Sequence, residues 1–143
     1  MSVTDTIGAY SAEMPVAYAG MIAEGQPARD VASKVVETAE VAFGLAVGVG
    51  VGDGSAKLGG TGFVGIAVAD KSRDADKFDV GEMAGVIRKG TVWVTASTNV
   101  APTDAVTFTA ATGVVGAGLA TTIAGAKFET TATAGNLVRV YLG

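Results

Sequence analysis

The chain has no histidine and no cysteine, and each absence closes off a class of chemistry. Histidine titrates nearest neutral pH, and cysteine is the strongest soft nucleophile and metal ligand. Ordinary acid–base, thiol and zinc chemistry are therefore not expected, and no disulfide can staple the fold. Proline occurs only 3 times in 143 residues and aromatics make up 6%, so the hydrophobic content of 49% comes largely from alanine and valine. Side chains that small imply thin, closely spaced layers. No run of about 18 apolar residues escapes interruption by glycine, threonine or charge, so no membrane span is expected. The start, Met1-Ser2-Val3-Thr4-Asp5-Thr6, lacks a basic region followed by an apolar run. It does not read as a secretory signal, and a cytoplasm-like compartment is expected.

Charge is scarce as well. A net charge of -4 argues against a nucleic-acid surface, which needs clustered lysine and arginine. After Lys89 the charged side chains are Asp104, Lys127, Glu129 and Arg139 alone. A surface that poor in charge is often covered by a partner or by copies of itself.

What the chain does contain is glycine, 21 in all, and valine–threonine runs that alternate as strands do. Residues 1–28 read as an extended arm, broken at Met14-Pro15 and closed at Gln26-Pro27. Tyr10, Met14, Val16, Tyr18, Met21 and Ile22 make it too apolar for a solvated tail. Either it packs on its own domain or it lies along a neighbouring chain, and the reading prefers the neighbour. From Asp30 to Ala42, Val31, Ala32, Val35, Val36 and Ala39 fall at helical spacing behind a possible Asp30 cap. Five β-branched residues argue against that helix, and periodicity favours it slightly.

Val41 to Val51 suits a buried strand, Gly52 to Gly62 a loop, Phe63 to Val68 a buried strand, and Asp70 to Asp79 a charged turn. The cleanest local signal is Val86-Ile87-Arg88-Lys89-Gly90-Thr91-Val92-Trp93-Val94, read as a tight hairpin about Lys89-Gly90. Short apolar or alternating runs follow at 106–109, 113–116, 126–130 and 137–142, with turns at 101–104 and 134–136. Strands at that spacing indicate an all-β barrel or sandwich. Residues 29–143 form one such domain on this reading.

No catalytic, cofactor-binding or metal site is expected. Gly54-Ser55-Ala56-Lys57-Leu58-Gly59-Gly60-Thr61 approaches a phosphate loop but puts Gly60 where the lysine must stand. Asp70, Asp74, Asp76, Asp79 and Glu82 are interleaved with Lys71, Arg73 and Lys77, and their spacing does not fit a calcium loop. Glu82 with Asp104 is one conceivable carboxylate pair, and nothing singles it out. No Ser-x-x-Lys occurs to activate a serine. Trp93, the single tryptophan, is expected in the core, with carbohydrate stacking or an interface as the other reading. A carbohydrate-binding or adhesin-type β module is accordingly the alternative function.

The ordered set of motifs carries a resemblance. Tyr10-Ser11, Pro15 to Ala23, Arg29-Asp30-Val31 with Phe43-Gly44, Gly65-Ile66-Ala67, the 86–94 segment and Asp104-Ala105-Val106 are similar to the structural cement, or head decoration, proteins of tailed bacteriophages. The family's usual Gly-Asp is Thr103-Asp104 here. The resemblance implies a compact β-barrel or β-tulip-like domain, a jelly-roll sandwich being the alternative, with an extended N-terminal arm and a strand at 29–37. It implies a non-enzymatic homotrimer on the outer surface of the virion capsid. The partners would be the major capsid protein and neighbouring cement copies, with no direct nucleic acid. Contact residues under this reading are Tyr10, Met14, Pro15, Val16, Tyr18, Met21, Ile22, Arg29, Arg88 and Lys89.

Overall fold

The computed structural model describes residues 18–23, 30–60, 62–70 and 76–142. Among them are twelve strands and no helix. β1 (Asp30–Glu37), β4 (Ser55–Leu58), β3 (Ala46–Val49), β5 (Phe63–Ala67) and β7 (Met83–Lys89) close, in that order, into a barrel. β1 and β4 run parallel, and the other pairs are antiparallel. A barrel of five strands is narrower than the familiar eight-stranded kind, so small side chains must fill it. Val36, Val47, Ala56, Ala67, Ala84 and Val86 do so, and Val41, Phe43 and Phe78 complete this cluster from beside the short pair β2 (Val41–Ala42) and β6 (Lys77–Phe78). The alanine–valine composition is thus matched to the bore.

A second sheet has the order β10 (Val115–Gly116), β9 (Ala105–Phe108), β11 (Thr121–Phe128), β12 (Leu137–Tyr141) and β8 (Thr91–Thr95). Its inner face carries Val92, Val94, Val106, Phe108, Phe128, Val138 and Val140. Ile66 and Ile87 of the barrel belong to the same cluster, while their neighbours Ala67 and Val86 face the bore. β5 and β7 are therefore buried on both sides where Ile66-Ala67 and Val86-Ile87 cross, which is why residues 63–68 read as an uninterrupted apolar run.

Both edges of the second sheet are covered. Ala96 bridges Val115 in parallel, and the Ser97 N–H donates to the Val115 carbonyl at 2.9 Å, which closes the β10 side. On the β8 side, residues 20–23 lie along the strand, entered through a turn at 18–21 in which the Met21 N–H donates to the Tyr18 carbonyl. Ile22 bridges Val92, the Gly20 and Ala23 N–H groups donate to the Trp93 and Thr91 carbonyls, and the Trp93 N–H donates to Met21. Open edges are templates for stray pairing, and covering them is the usual remedy.

Four expectations are corrected. Residues 30–37 are strand, as the family resemblance implied and the helical spacing did not; alternate β-branched positions here serve the inside and outside of a barrel wall. The 41–51 strand is two strands broken at Phe43-Gly44-Leu45. The 52–62 loop contains β4, hidden from composition by the glycines around it. The 86–94 hairpin does not form, because β7 spends its two edges on β1 and β5 while β8 spends its on β12 and residues 18–23. Gly90 does have the positive φ expected of it, +111°, but uses it to turn the chain from one sheet into the other.

Candidate docking surfaces

The two acids weighed as a carboxylate pair close turns instead. Glu82 Oε1 accepts the Asp79 N–H at 2.7 Å, and Asp104 Oδ2 accepts the Ala101 N–H at 2.9 Å, so Thr103-Asp104 makes an ordinary turn. Among the described residues no three acidic side chains converge on a point that could hold a metal.

Among the described residues, three surfaces carry exposed apolar side chains. On the outer wall of the barrel, Val31 of β1 and Met83 of β7 are exposed, with half-buried Val35 directly opposite Met83 in the ladder. Arg88 and Lys89 stand exposed at one end of this wall. Arg88 Nη2 lies 2.7 Å from Asp30 Oδ2, which positions the guanidinium, although an exposed pair of this kind adds at most about 1 kcal/mol.

The second surface is the β3–β4 turn, where Val49 is 60% and Val51 95% exposed. Glu37, at the end of β1, holds this turn by accepting the Val51 and Gly52 N–H groups. The Val51 hydrogen bond is the main cause that holds the Glu37 carboxyl below its usual range, assisted by Gly52, Ser55 and Lys57 and opposed by desolvation. A depressed folded-state pKa stabilises above the unfolded value, and that stabilisation is lost as pH falls through the folded value. The amide proton resonances of Val51 and Gly52 should therefore move together during the acid titration of Glu37. In Glu37→Gln neither should move, as read by two-dimensional NMR.

The third surface is the outer face of the second sheet, which carries Trp93 and Tyr141. Trp93 is half-buried here, outside the core where the sequence placed it. Two rungs cross the face. Met21, Trp93 and Arg139 stand side by side on neighbouring strands, and Glu129 lies beyond them, its N–H bonded to the Arg139 carbonyl. Ala23 and Thr91, both buried, form the second rung with the exposed Tyr141 and Lys127. The Arg139 guanidinium carbon sits 5.8 Å from the Trp93 ring centroid, and Nη2 is 3.2 Å from Glu129 Oε1. The ring contact and the ion pair together restrain the guanidinium against the sheet.

Of the sequence-derived contact residues, Met21 lies at the β8 edge and Tyr18 opens the turn that leads to it, while Ile22 packs inward on the chain's own core. Between the two placements weighed for the arm, residues 18–23 are thus seen on their own sheet. Arg88 and Lys89 sit apart from them, on the barrel. Tyr10, Met14, Pro15, Val16 and Arg29 lie outside the described residues. Sequence reasoning missed Arg139, Tyr141 and Glu129. The signal was present, since Leu137, Arg139 and Tyr141 alternate with the buried Val138 and Val140.

Comparison with known proteins agrees with this architecture. A chain in the capsid of Myoviridae phage XM1 superposes with a TM-score of 0.70 at 18% identity, covering 92% of each chain. The head fibre gp8.5 N base of bacteriophage phi29 gives a TM-score of 0.51 at 15% identity, over 81% of this chain and 95% of that one. At such identities the likeness establishes the fold. No curated protein sequence matches. Residues 7–143 match the structural cement protein family described by E217 gp24 and Pam3 gp6. That match spans nearly the whole chain, barrel and second sheet included, so the protein belongs to the phage structural cement protein family and its role is structural, not enzymatic.

Proposed function

We propose that the protein binds the outside of a phage head as a homotrimer, bridging neighbouring major capsid protein subunits and stabilising the shell. The observation that carries this reading is the family match over residues 7–143. Three exposed apolar surfaces on different parts of one small chain support it, because a bridging protein must offer more than one contact face. The scarcity of charge beyond Lys89 supports it too. A shell under internal pressure is held by many modest contacts acting together, and a trimer with three arms gains avidity through effective concentration. Acidic character suits an outer surface better than one turned toward packed DNA.

The test is the solution mass of the purified chain and its co-sedimentation with undecorated heads, repeated without residues 1–17. Deletion should stop there, since residues 18–23 cover the β8 edge. A trimer is expected, together with a loss of head binding on the order of a hundredfold in the shortened chain. A stable monomer that still decorates heads after the deletion would overturn the reading.

A further inference from the structure

Among the described strand glycines, Gly85 in β7 is the one that the chain's own packing does not require. The others lie in β3, β5, β10 and β11. Gly125 has a φ of +80°, and a methyl group on Gly48, Gly65 or Gly116 would run into the Gly59 carbonyl oxygen, the Ile87 carbonyl oxygen or Ser97 Oγ. At Gly85 the φ is not positive, and the same methyl would lie 3.8 Å from both Val31 Cγ1 and Val68 Cβ, an ordinary contact. No bulge accounts for the residue either, since β1 and β7 pair without a break from Val31 to Val35. Glycine inside a strand weakens it, and one use that offsets the loss is to let another backbone come close.

The outer wall around Gly85 is complementary to itself. Gly85 and exposed Ser33 stand opposite each other at its middle. Exposed Val31 lies to one side of them, and exposed Met83 with Val35 to the other. Beyond Val31 the wall ends in Arg88 and Lys89, and beyond Met83 it ends in Glu82, Val80 and Asp79. Asp30 at the first end and Lys77 at the second reduce these charges without reversing them. Along the strand, Lys89 is about 13 Å from Gly85 in one direction and Glu82 about 10 Å in the other. A two-fold axis standing on the wall at Gly85 would therefore set Val31 of each copy against Met83 of the other, and each basic end against an acidic one. Sliding or parallel arrangements would oppose like charges. On the axis the two Gly85 positions would meet, so the walls could close to main-chain contact where two methyl groups would hold them apart.

We infer that the barrel wall around Gly85 is a two-fold joint between two copies of this chain. A self-facing contact pairs copies and cannot close a ring of three, so on the trimeric cement reading it links one trimer to the next. The wall is only about 20 Å long, and the joint forms where copies are already held side by side on a head. Because the native chain has no cysteine, Ser33→Cys beside the axis reports the joint. Heads decorated with that variant should yield a covalent dimer on mild oxidation. Adding Gly85→Ala should lower the yield about tenfold through overpacking at the axis. The melting temperature of Gly85→Ala should hold or rise, since the methyl fits its own chain. Adding Lys89→Glu should also lower the yield, and Asp79→Lys on top of it should restore it. Decorated heads that give no dimer, or a yield indifferent to Gly85→Ala and to the charge reversal, overturn the joint and leave the cement reading standing. A lower melting temperature in Gly85→Ala also overturns the joint, because the glycine would then serve its own chain. Native chain that leaves heads bare overturns the cement reading beneath it.

Discussion

Phe108→Ala is expected to cost about 3–5 kcal/mol, a large share of the roughly 5–15 kcal/mol by which a domain of this size is stable. Phe108 is fully buried between the second sheet and the barrel, and its ring centroid is 5.6 Å from that of Phe63. It also sits where β9 is flanked by two strands, opposite Val115 on one side and Thr121 on the other. Removing the ring leaves a void that neither ladder can close without breaking its register, so relaxation will recover little of the loss. Thermal unfolding should show the melting temperature falling by about 10 °C or more. Phe63→Ala, which truncates a half-buried ring in the same pair, should cost clearly less. Equal losses for the two would mean that the layers are not joined through Phe108.

Ile22→Asp tests the cover over β8. Ile22 packs against the second-sheet core and bridges Val92. An aspartate there would press an unpaired charge onto an apolar surface, at a cost of about 2–4 kcal/mol, and lift residues 18–23 from the sheet. The Trp93 N–H, now bonded to the Met21 carbonyl at 2.9 Å, would lose its partner along with the rest of that edge. Hydrogen exchange at the Trp93 amide should accelerate sharply, and light scattering should rise with protein concentration as uncovered edges pair with one another. A variant that keeps native exchange at Trp93 and stays monodisperse would show that the segment only rests on β8. Head binding should fall as well, because the root of the arm would no longer be fixed in direction.

How far the sequence could be read depends on which residues supply the partner. β5, β9 and β12 were legible because alternation and β-branching are properties of a strand whatever lies next to it. The 86–94 segment shows where that stops. Both halves are strands, and Gly90 has the backbone conformation its position suggested, yet the two strands belong to different sheets. Nothing local to those nine residues records that β7 will be flanked by β1 and β5, which lie far away in the chain. The same limit hid β4, whose pairing with β1 is parallel and non-local. It also put Trp93 in the core, since the choice of inner or outer face depends on register against β12.

Composition alone settled that this chain does not work through imidazole or thiol chemistry, and that its layers must be thin enough for alanine and valine to fill. The order of its motifs was sufficient to indicate the family. Three-dimensional packing supplied the rest: the closure of five strands around a narrow bore, the use of residues 18–23 as a strand cover, and the assembly of Met21, Trp93, Arg139 and Glu129 into one row. Those four residues are spread over more than a hundred positions of chain. Only main-chain hydrogen bonds between distant strands bring them level, and such bonds are indifferent to the side chains they align.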